Sequence, residues 1–317
     1  MNRQELIDLA YRRGDNLHVG DPEYQKNLRR FTIAAVEEDL GKTGDITVKS
    51  VLSNNKIRKA KIVAKEAGVL AGIEEAVWFY DHYDIAVTTY KGDGDRVDTG
   101  DLVLELEGKE FILLKTERVG LNLMQRMSGI ATLTNDLVRK CEPLLVAATR
   151  KTHWGNLDNK AVSVGGGGTH RLGLWESILI KENHLASLSK EGDFDVIQEA
   201  LRRAWKGRDK AVFVEIEVVS VEDAIKAASC FTTLMDDTGD VKPCVVMLDN
   251  FSPADAARTV VEFKEKGYYS RVLIESSGGI NPENIHTYRD AGVDIVSMGY
   301  LTHSPRALDI SQLILDT

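Results

Sequence analysis

The sequence predicts an α/β protein built largely on a parallel sheet, and three observations carry that expectation. Short apolar runs recur through the second half of the chain: LLVAAT from Leu144, SILIK from Ser177, AVFVEIEVV from Ala211, CVVMLDN from Cys244, RVLIESSGG from Arg271 and DIVSMG from Asp294. Such continuous Val/Ile/Leu runs are the mark of strands buried on both faces. Helical stretches separate them, and strand and helix in alternation imply βα units on a parallel sheet. Each run also ends at a polar or glycine residue: Arg150, Lys181, Glu217, Asp249, Gly278 and Gly299. In a parallel α/β barrel the active site lies at the carboxyl ends of the strands, so the candidate chemistry gathers on one rim.

A chain of 317 residues can form one large α/β barrel or two domains. With 49 acidic and 40 basic residues its net charge is −9, and no long basic stripe interrupts that balance, which speaks against nucleic acid as a partner. No segment reaches the apolar length of a membrane span. Met1 to Arg30 is polar and charged, without the apolar core of a secretory signal, so a cytoplasmic protein is expected. Cys141, Cys230 and Cys244 are odd in number and share no CxxC spacing, which disfavours a disulfide framework and a structural zinc site and leaves buried thiols.

In chain order, Met1 to Asn27 reads as a helix with a loop and suggests no role. From Leu28 to Leu40 apolar residues recur at helical spacing and the helix stops at Gly41, while Gly44 to Thr47 reads as a turn into a strand. The stretch from Ile57 to Glu107 alternates apolar and polar residues between tight glycine turns, as a β-rich domain does. Its DGDRVDTGDLVLELEG segment is similar to the hammerhead turn of biotinyl and lipoyl carriers, but the tip lysine such a carrier needs is missing. Lys115 to Cys141 is a long helical pattern, with Leu121, Met124, Met127, Ile130, Leu133 and Leu137 as its apolar positions.

The stretch that organises the rest runs from Arg150 to His184. It gathers Arg150, Lys151, His170, Arg171 and Lys181 around four glycines, Gly165 to Gly168, against the acidic bulk of the chain. Charge runs are usually solvated faces. Here the cations alternate with apolar segments, Ala161–Val164 read as a strand, Leu172–Leu174 and Ile178–Ile180, that predict short buried elements. A small ligand with several negative charges explains cations gathered at the ends of buried elements. Glu215 and Glu217, two apart in a strand, face the same side, and Asp249 adds a third carboxylate to the rim. These acids suit a metal, sugar hydroxyls or a positive transition state; structural salt bridges are the plain alternative. After the last two strands, Glu275–Ile280 and Ser297–Gly299 offer two glycine turns where barrels of this kind cradle phosphate.

These motifs carry a resemblance. EEDLGKTGDIT from Glu37, ER at Glu117 and Arg118, NLMQRMSGIAT from Asn122, RKT from Arg150, GGGGTHRLGL from Gly165, LIKENH from Leu179, VEIEV from Val214, MLDN from Met247, and ESSGGI with VDIVSMGYLTHS resemble the quinolinate phosphoribosyltransferases from Glu37 to Ser304. The resemblance implies an N-terminal α/β sandwich joined to an incomplete, open parallel α/β barrel. It implies residues 1–27 as an N-terminal extension, 28–125 as the sandwich, 126–299 as the barrel, and 300–317 as a segment returning to the N-terminal domain. The implied reaction joins quinolinate and phosphoribosyl pyrophosphate, with magnesium and no organic cofactor, to give nicotinate mononucleotide, pyrophosphate and carbon dioxide. By that similarity Arg150, His170 and Arg171 would grip the quinolinate carboxylates with Lys151, Thr152 and Lys181 close by. Glu217 and Asp249 would hold the ribose hydroxyls and magnesium-linked water, with Lys151 completing the catalytic set. Ser277, Gly278, Gly279 and Gly299 would seat the 5′-phosphate, and a neighbouring subunit of a homodimer or dimer-based hexamer would lend Arg118.

One departure from the family's pattern stands out. After RKT the family usually has TPGLR and then a lysine before the AV segment, whereas this chain reads HWGNLDNKAV, two residues shorter and without the arginine. His153 and Lys160 are the expected replacements for holding the donor. Two further readings accompany the enzyme: a relative of the molybdenum-transport ModD type acting on another aromatic acid, and a non-catalytic binding paralogue. The set Arg118, Arg150, His170 and Arg171 favours a dicarboxylate over the first, and the intact acids and phosphate turns weigh against the second.

Overall fold

The fold was taken from a computed structural model, which describes residues 1–315; Asp316 and Thr317, the end of the expected C-terminal segment, lie outside the described residues. Helices α1 (Arg3–Tyr11), α2 (Pro22–Phe31), α3 (Ile33–Leu40) and α4 (Ile46–Val51) come first. They are followed by β1 (Ile57–Ala64), β2 (Gly68–Val69), α5 (Ile73–Asp81), β3 (Ala86–Thr89), β4 (Arg96–Val97), β5 (Leu102–Lys109) and the long helix α6 (Glu110–Cys141). Next come β6 (Leu145–Ala147), α7 (Asn156–Val164), β7 (Ile178–Ile180), α8 (Glu182–Leu188), α9 (Val196–Trp205) and β8 (Val214–Val218). The chain then runs through α10 (Val221–Thr238), β9 (Cys244–Asp249), α11 (Pro253–Glu265), β10 (Val272–Ser277), α12 (Ile285–Ala291), β11 (Ile295–Ser297), α13 (Tyr300–His303) and β12 (Ile310–Ile314). Two compact units interleave along it. One comprises Met1–Arg13, Leu137–Lys151 and Gly167–Tyr300, the other Gly14–Asp136, Thr152–Gly166 and the stretch from Leu301.

The first unit is the expected parallel sheet with helices around it. Its six strands run in the order β6, β11, β10, β9, β8, β7, every neighbouring pair parallel. The sheet is not closed: β6 and β7 are its edges. All six apolar runs picked out from the sequence contain a strand, because β9 and β10 bury five consecutive residues each and such runs suit a sheet covered on both faces. Along the β6 edge Gly168 makes an isolated parallel bridge to Ala147; a β-carbon at Gly168 would sit 3.0 Å from Leu145 and 3.3 Å from Tyr11.

Helix α1 belongs to this unit. Asn2 caps it by accepting the Glu5 amide, while Glu5 returns a bond to the Asn2 amide, a reciprocal box that starts the helix firmly. Leu6, Ile7, Ala10 and Tyr11 pack against Leu145, Ala147, Phe213, Val245, Leu273 and Ile295. Burying each large apolar side chain stabilises by roughly 1.5–3 kcal/mol, so docking to the sheet holds this nine-residue helix far better than propensity would. At its other end Arg3 bonds both carboxylate oxygens of Asp294 and the carbonyl of Tyr269.

The second unit holds an antiparallel sheet in the order β12, β1, β5, β3, and a short β2–β4 pair. Strand β1 buries every second residue from Ala60 on, as one-faced sheets require. Three sequence expectations are corrected in this unit. The single helix over Leu28–Leu40 is two helices: Thr32 leaves helical geometry at φ −122° and ψ −74°, and its hydroxyl donates back to the Leu28 carbonyl at 2.7 Å. The turn at Gly44–Thr47 enters helix α4, not a strand, because the Asp45 carboxylate caps the Val48 amide at 2.9 Å. Ala161–Val164 is the end of helix α7, not a strand.

Within the same unit Glu75 is fully buried with the Tyr24 hydroxyl donating to it at 2.7 Å. Burial, helped by Asp93, pushes its carboxyl from 4.5 up to about 7. A carboxyl raised in the folded state favours folding while protonated, and that contribution is lost as pH rises from about 4.5 through about 7. Glu75→Gln, which keeps an acceptor for Tyr24, is therefore expected to match the parent in thermal unfolding near pH 5. At pH 8 it should exceed the parent by on the order of 3 kcal/mol. Equal midpoints at pH 8 would show that Glu75 stays ionised at no cost.

Candidate active site

A cavity of about 530 Å³ opens at the carboxyl ends of the parallel strands in the first unit. Thr149, Arg150 and Lys151 follow β6, Lys181 follows β7, Glu217 lies near the end of β8, and Asp249 ends β9 with Asn250 just after it. Ser277 ends β10 with Gly278 and Gly279 following it, Ser297 ends β11, and His170 and Arg171 come from the loop beyond the glycine run. Parallel strands bring these distant positions to one rim because their carboxyl ends all point the same way.

The positive wall is built from the loop. Arg171 sends its guanidinium to the Ser177 carbonyl at 3.2 Å, and its own amide donates to His170 Nδ1 at 2.8 Å. Burial and the neighbouring Arg150 both press against its charge. A nearly buried guanidinium with the charge of the exposed Arg150 beside it is the electrostatic signature of an anion site. Glu176, nearly fully buried, ties the loop by accepting the Leu172 amide at 2.6 Å and facing Arg13 at 3.5 Å. The expected buried element at Leu172–Leu174 is not there. Leu174 and Trp175 are 72% and 75% exposed, because the loop turns outward between its anchors at Arg171 and Glu176.

Glu217 and Asp249 line the same cavity. Glu217 is ion-paired with Lys181, and burial followed by the charge of Glu217 raises the Asp249 carboxyl. Asn250 donates to Asp249 at 2.7 Å and adopts φ 56°, a left-handed conformation that asparagine tolerates. Against it stands Gly278 at φ 93°, where a β-carbon would lie 2.2 Å from the Asn250 side chain and 3.0 Å from its amide nitrogen. Only glycine fits there, and the turn it opens with Gly279 leaves backbone beside the cavity. Glu217 and Asp249 offer oxygen donors alone, as magnesium prefers, and hard-cation chemistry fits them directly or through water. His170, Glu215 and Glu275 also bring ligand atoms within 4.8 Å of one another, a mixed nitrogen and oxygen set nearer to zinc chemistry.

Beneath the wall lies a layer that sequence reasoning largely missed. His170 Nε2 sits 3.2 Å from Glu215 and 3.6 Å from Glu275, close but off the line of a hydrogen bond. Burial opposes charge on the imidazole, but the two carboxylates outweigh it and raise its hold on the proton. Burial and Glu275 push Glu215 up to about 7, whereas His170 overcomes burial at Glu275 and holds it low. Glu215 was legible as half of an acidic pair; Tyr11, which donates to Glu275, carried no sequence signal beyond the apolar spacing of its helix.

Of the predicted residues, Arg150, Lys151, His170, Arg171, Lys181, Glu217, Asp249, Ser277, Gly278 and Gly279 line the cavity, and Arg118, Thr152 and Gly299 do not. Arg118 is exposed on α6. Thr152 donates to Asp158, which also accepts the Trp154 amide at 3.2 Å and both arms of Arg126 at 2.8 Å. Trp154 stacks on Phe31 with ring centroids 5.2 Å apart, so the loop without the family's arginine is built around Asp158 and this aromatic pair. Lys160 is held by Glu74 at 3.2 Å, and neither it nor His153 lines the cavity.

Known proteins share this architecture. Residues 45–128 match the quinolinate phosphoribosyl transferase N-terminal domain and residues 130–312 match its C-terminal domain. The chain belongs to the quinolinate phosphoribosyltransferase family. It is 38% identical to the probable nicotinate-nucleotide pyrophosphorylase (carboxylating) of Methanothermobacter thermautotrophicus over 278 residues, 84% of this chain and 92% of the other. The corresponding protein of Bacillus subtilis is 36% identical over 296 residues, 91% of this chain and 92% of its own. The solved structure of the nicotinate-nucleotide pyrophosphorylase from Francisella tularensis superposes with a TM-score of 0.77 at 31% identity, covering 92% of this chain and 96% of the other. In this quinolinate phosphoribosyltransferase fold, the cavity sits at the carboxyl ends of the chain's own parallel strands.

Proposed function

We propose that the protein transfers the phosphoribosyl group of phosphoribosyl pyrophosphate to the ring nitrogen of quinolinate, with decarboxylation. The products are nicotinate mononucleotide, pyrophosphate and carbon dioxide, a step of NAD biosynthesis. The observation that carries this reading is one cavity lined by Arg150, Arg171, Glu217, Asp249 and the Gly278–Gly279 turn. Guanidiniums suit planar carboxylates because they donate two parallel hydrogen bonds. Arg150 and Arg171 would take the two quinolinate carboxylates, with His170 on the same cavity lining and Lys151 and Lys181 adding positive potential. The glycine turn would receive the 5′-phosphate on backbone amides.

With both substrates so placed, the pyridine nitrogen faces the anomeric carbon. As the bond to pyrophosphate breaks, positive charge develops on the ribose ring, and Glu217 and Asp249 stabilise it. Magnesium, held by those carboxylates through water, would neutralise the departing pyrophosphate. Once alkylated, the ring nitrogen is cationic and stabilises the carbanion left when the adjacent carboxylate departs as carbon dioxide; a proton then takes the vacated carbon. Arg118 is assigned to the site of a neighbouring copy, in a homodimer or dimer-based hexamer. None of the described helices is long and apolar enough to cross a membrane, and action in the cytoplasm is part of this reading.

Incubating the protein with quinolinate, phosphoribosyl pyrophosphate and magnesium should yield nicotinate mononucleotide, with nicotinate in place of quinolinate giving none. Turnover of nicotinate alone, or of neither acid, would end the proposal.

A further inference from the structure

Helix α1 lies outside both stretches matched to the family, yet its last residue, Tyr11, reaches under the positive wall in three independent ways. Its hydroxyl donates to Glu275, whose same oxygen faces His170 Nε2 at 3.6 Å. Its carbonyl accepts both the amide of Thr169, at 2.7 Å, and the Thr169 hydroxyl, at 3.0 Å. Its ring stacks on Phe213 at 5.5 Å, and both rings meet His170 edge-on at 5.8 and 5.7 Å. Tyr11 itself is fully buried, and His170 is 6% exposed.

The consequence runs through the imidazole. The two carboxylates draw positive charge onto the ring, but the Arg171 amide donates to Nδ1 from 2.8 Å and needs a lone pair there, so with Nε2 turned toward Glu215 and Glu275 the geometry places the one ring proton on Nε2. A single tautomer in a single orientation therefore fixes the backbone from which the Arg171 guanidinium enters the cavity. We propose that Tyr11 is a positioning residue of this site: through Glu275 and through its own carbonyl it locks the Thr169–Arg171 segment so that Arg171 meets a carboxylate of the substrate. The proposal rests on the quinolinate reading above. It gives the N-terminal helix a role in acceptor recognition that its place in the chain would not suggest, since carboxylate recognition depends on donors held in register.

Tyr11→Phe in the full-length protein separates this role from packing, because the ring stays and only the hydroxyl goes. We expect the KM for quinolinate to rise about two- to tenfold, the range one net hydrogen bond spans, with the KM for phosphoribosyl pyrophosphate unchanged. In the same variant, labelled with 15N-histidine and with His170 assigned through a His170→Asn control, the His170 nitrogens are expected to leave the pure Nε2-protonated tautomer. Unaltered His170 signals, an unaltered quinolinate KM, or equal rises in both KM values would each overturn the proposal. If the parent protein turned over no quinolinate, the functional reading would fall by itself, and the His170 signals alone would decide the part played by Tyr11.

Discussion

Arg171→Ala is expected to raise the KM for quinolinate by roughly ten- to a hundredfold while the KM for phosphoribosyl pyrophosphate moves less than threefold. The magnitude follows from one charge-assisted hydrogen bond in a partly desolvated site, about 1.5–3 kcal/mol. The asymmetry follows from geometry: Arg171 shares its side of the cavity with Arg150 and His170, and the acids and the glycine turn rise from β8, β9 and β10. Truncation also leaves the Ser177 carbonyl without its guanidinium donor, so a modest loss of thermal stability accompanies the kinetic change. Steady-state kinetics with each substrate varied in turn settle the matter, and equal effects on both would contradict the assignment of this wall to the acceptor.

Asp249→Asn is expected to act in the opposite sense. It keeps the shape of the side chain and the neighbouring Asn250, but removes a charge that burial and Glu217 already strain. If Asp249 stabilises the oxocarbenium character of the transition state, kcat falls by roughly a hundred- to a thousandfold, as when one preorganised electrostatic partner is removed elsewhere, while the quinolinate KM changes little. Intact kcat with a weakened quinolinate KM would move Asp249 from the ribose to the acceptor. The two variants together test the division of the cavity into an acceptor wall and a ribose side.

The sheet was legible because its strands are buried on both faces: a run such as Val245–Leu248 can hardly be anything else when turns bound it and helices flank it. The polar residues closing those runs were legible for the same reason, since parallel strands deliver their carboxyl ends to one rim whatever the loops do. Local chemistry, by contrast, overruled periodicity at Thr32 and at Asp45, where a side chain competes for or caps a backbone group within four residues. Leu172–Leu174 misled because an apolar triplet carries no mark of the buried Glu176 that ends it and turns the loop outward.

The sequence by itself determined which residues could bind anions and which could oppose them, because charge type, strand periodicity and glycine turns are properties of short stretches. Only the tertiary structure decided which of them meet. It brought Arg150, Arg171, Glu217 and Asp249 to one cavity, left Thr152 bonded to Asp158 and Lys160 to Glu74, and set Tyr11 beneath His170 across more than half the chain. Contacts of that kind depend on how the open sheet buries its inner face, and a buried hydroxyl 264 residues from its carboxylate leaves no local pattern to read.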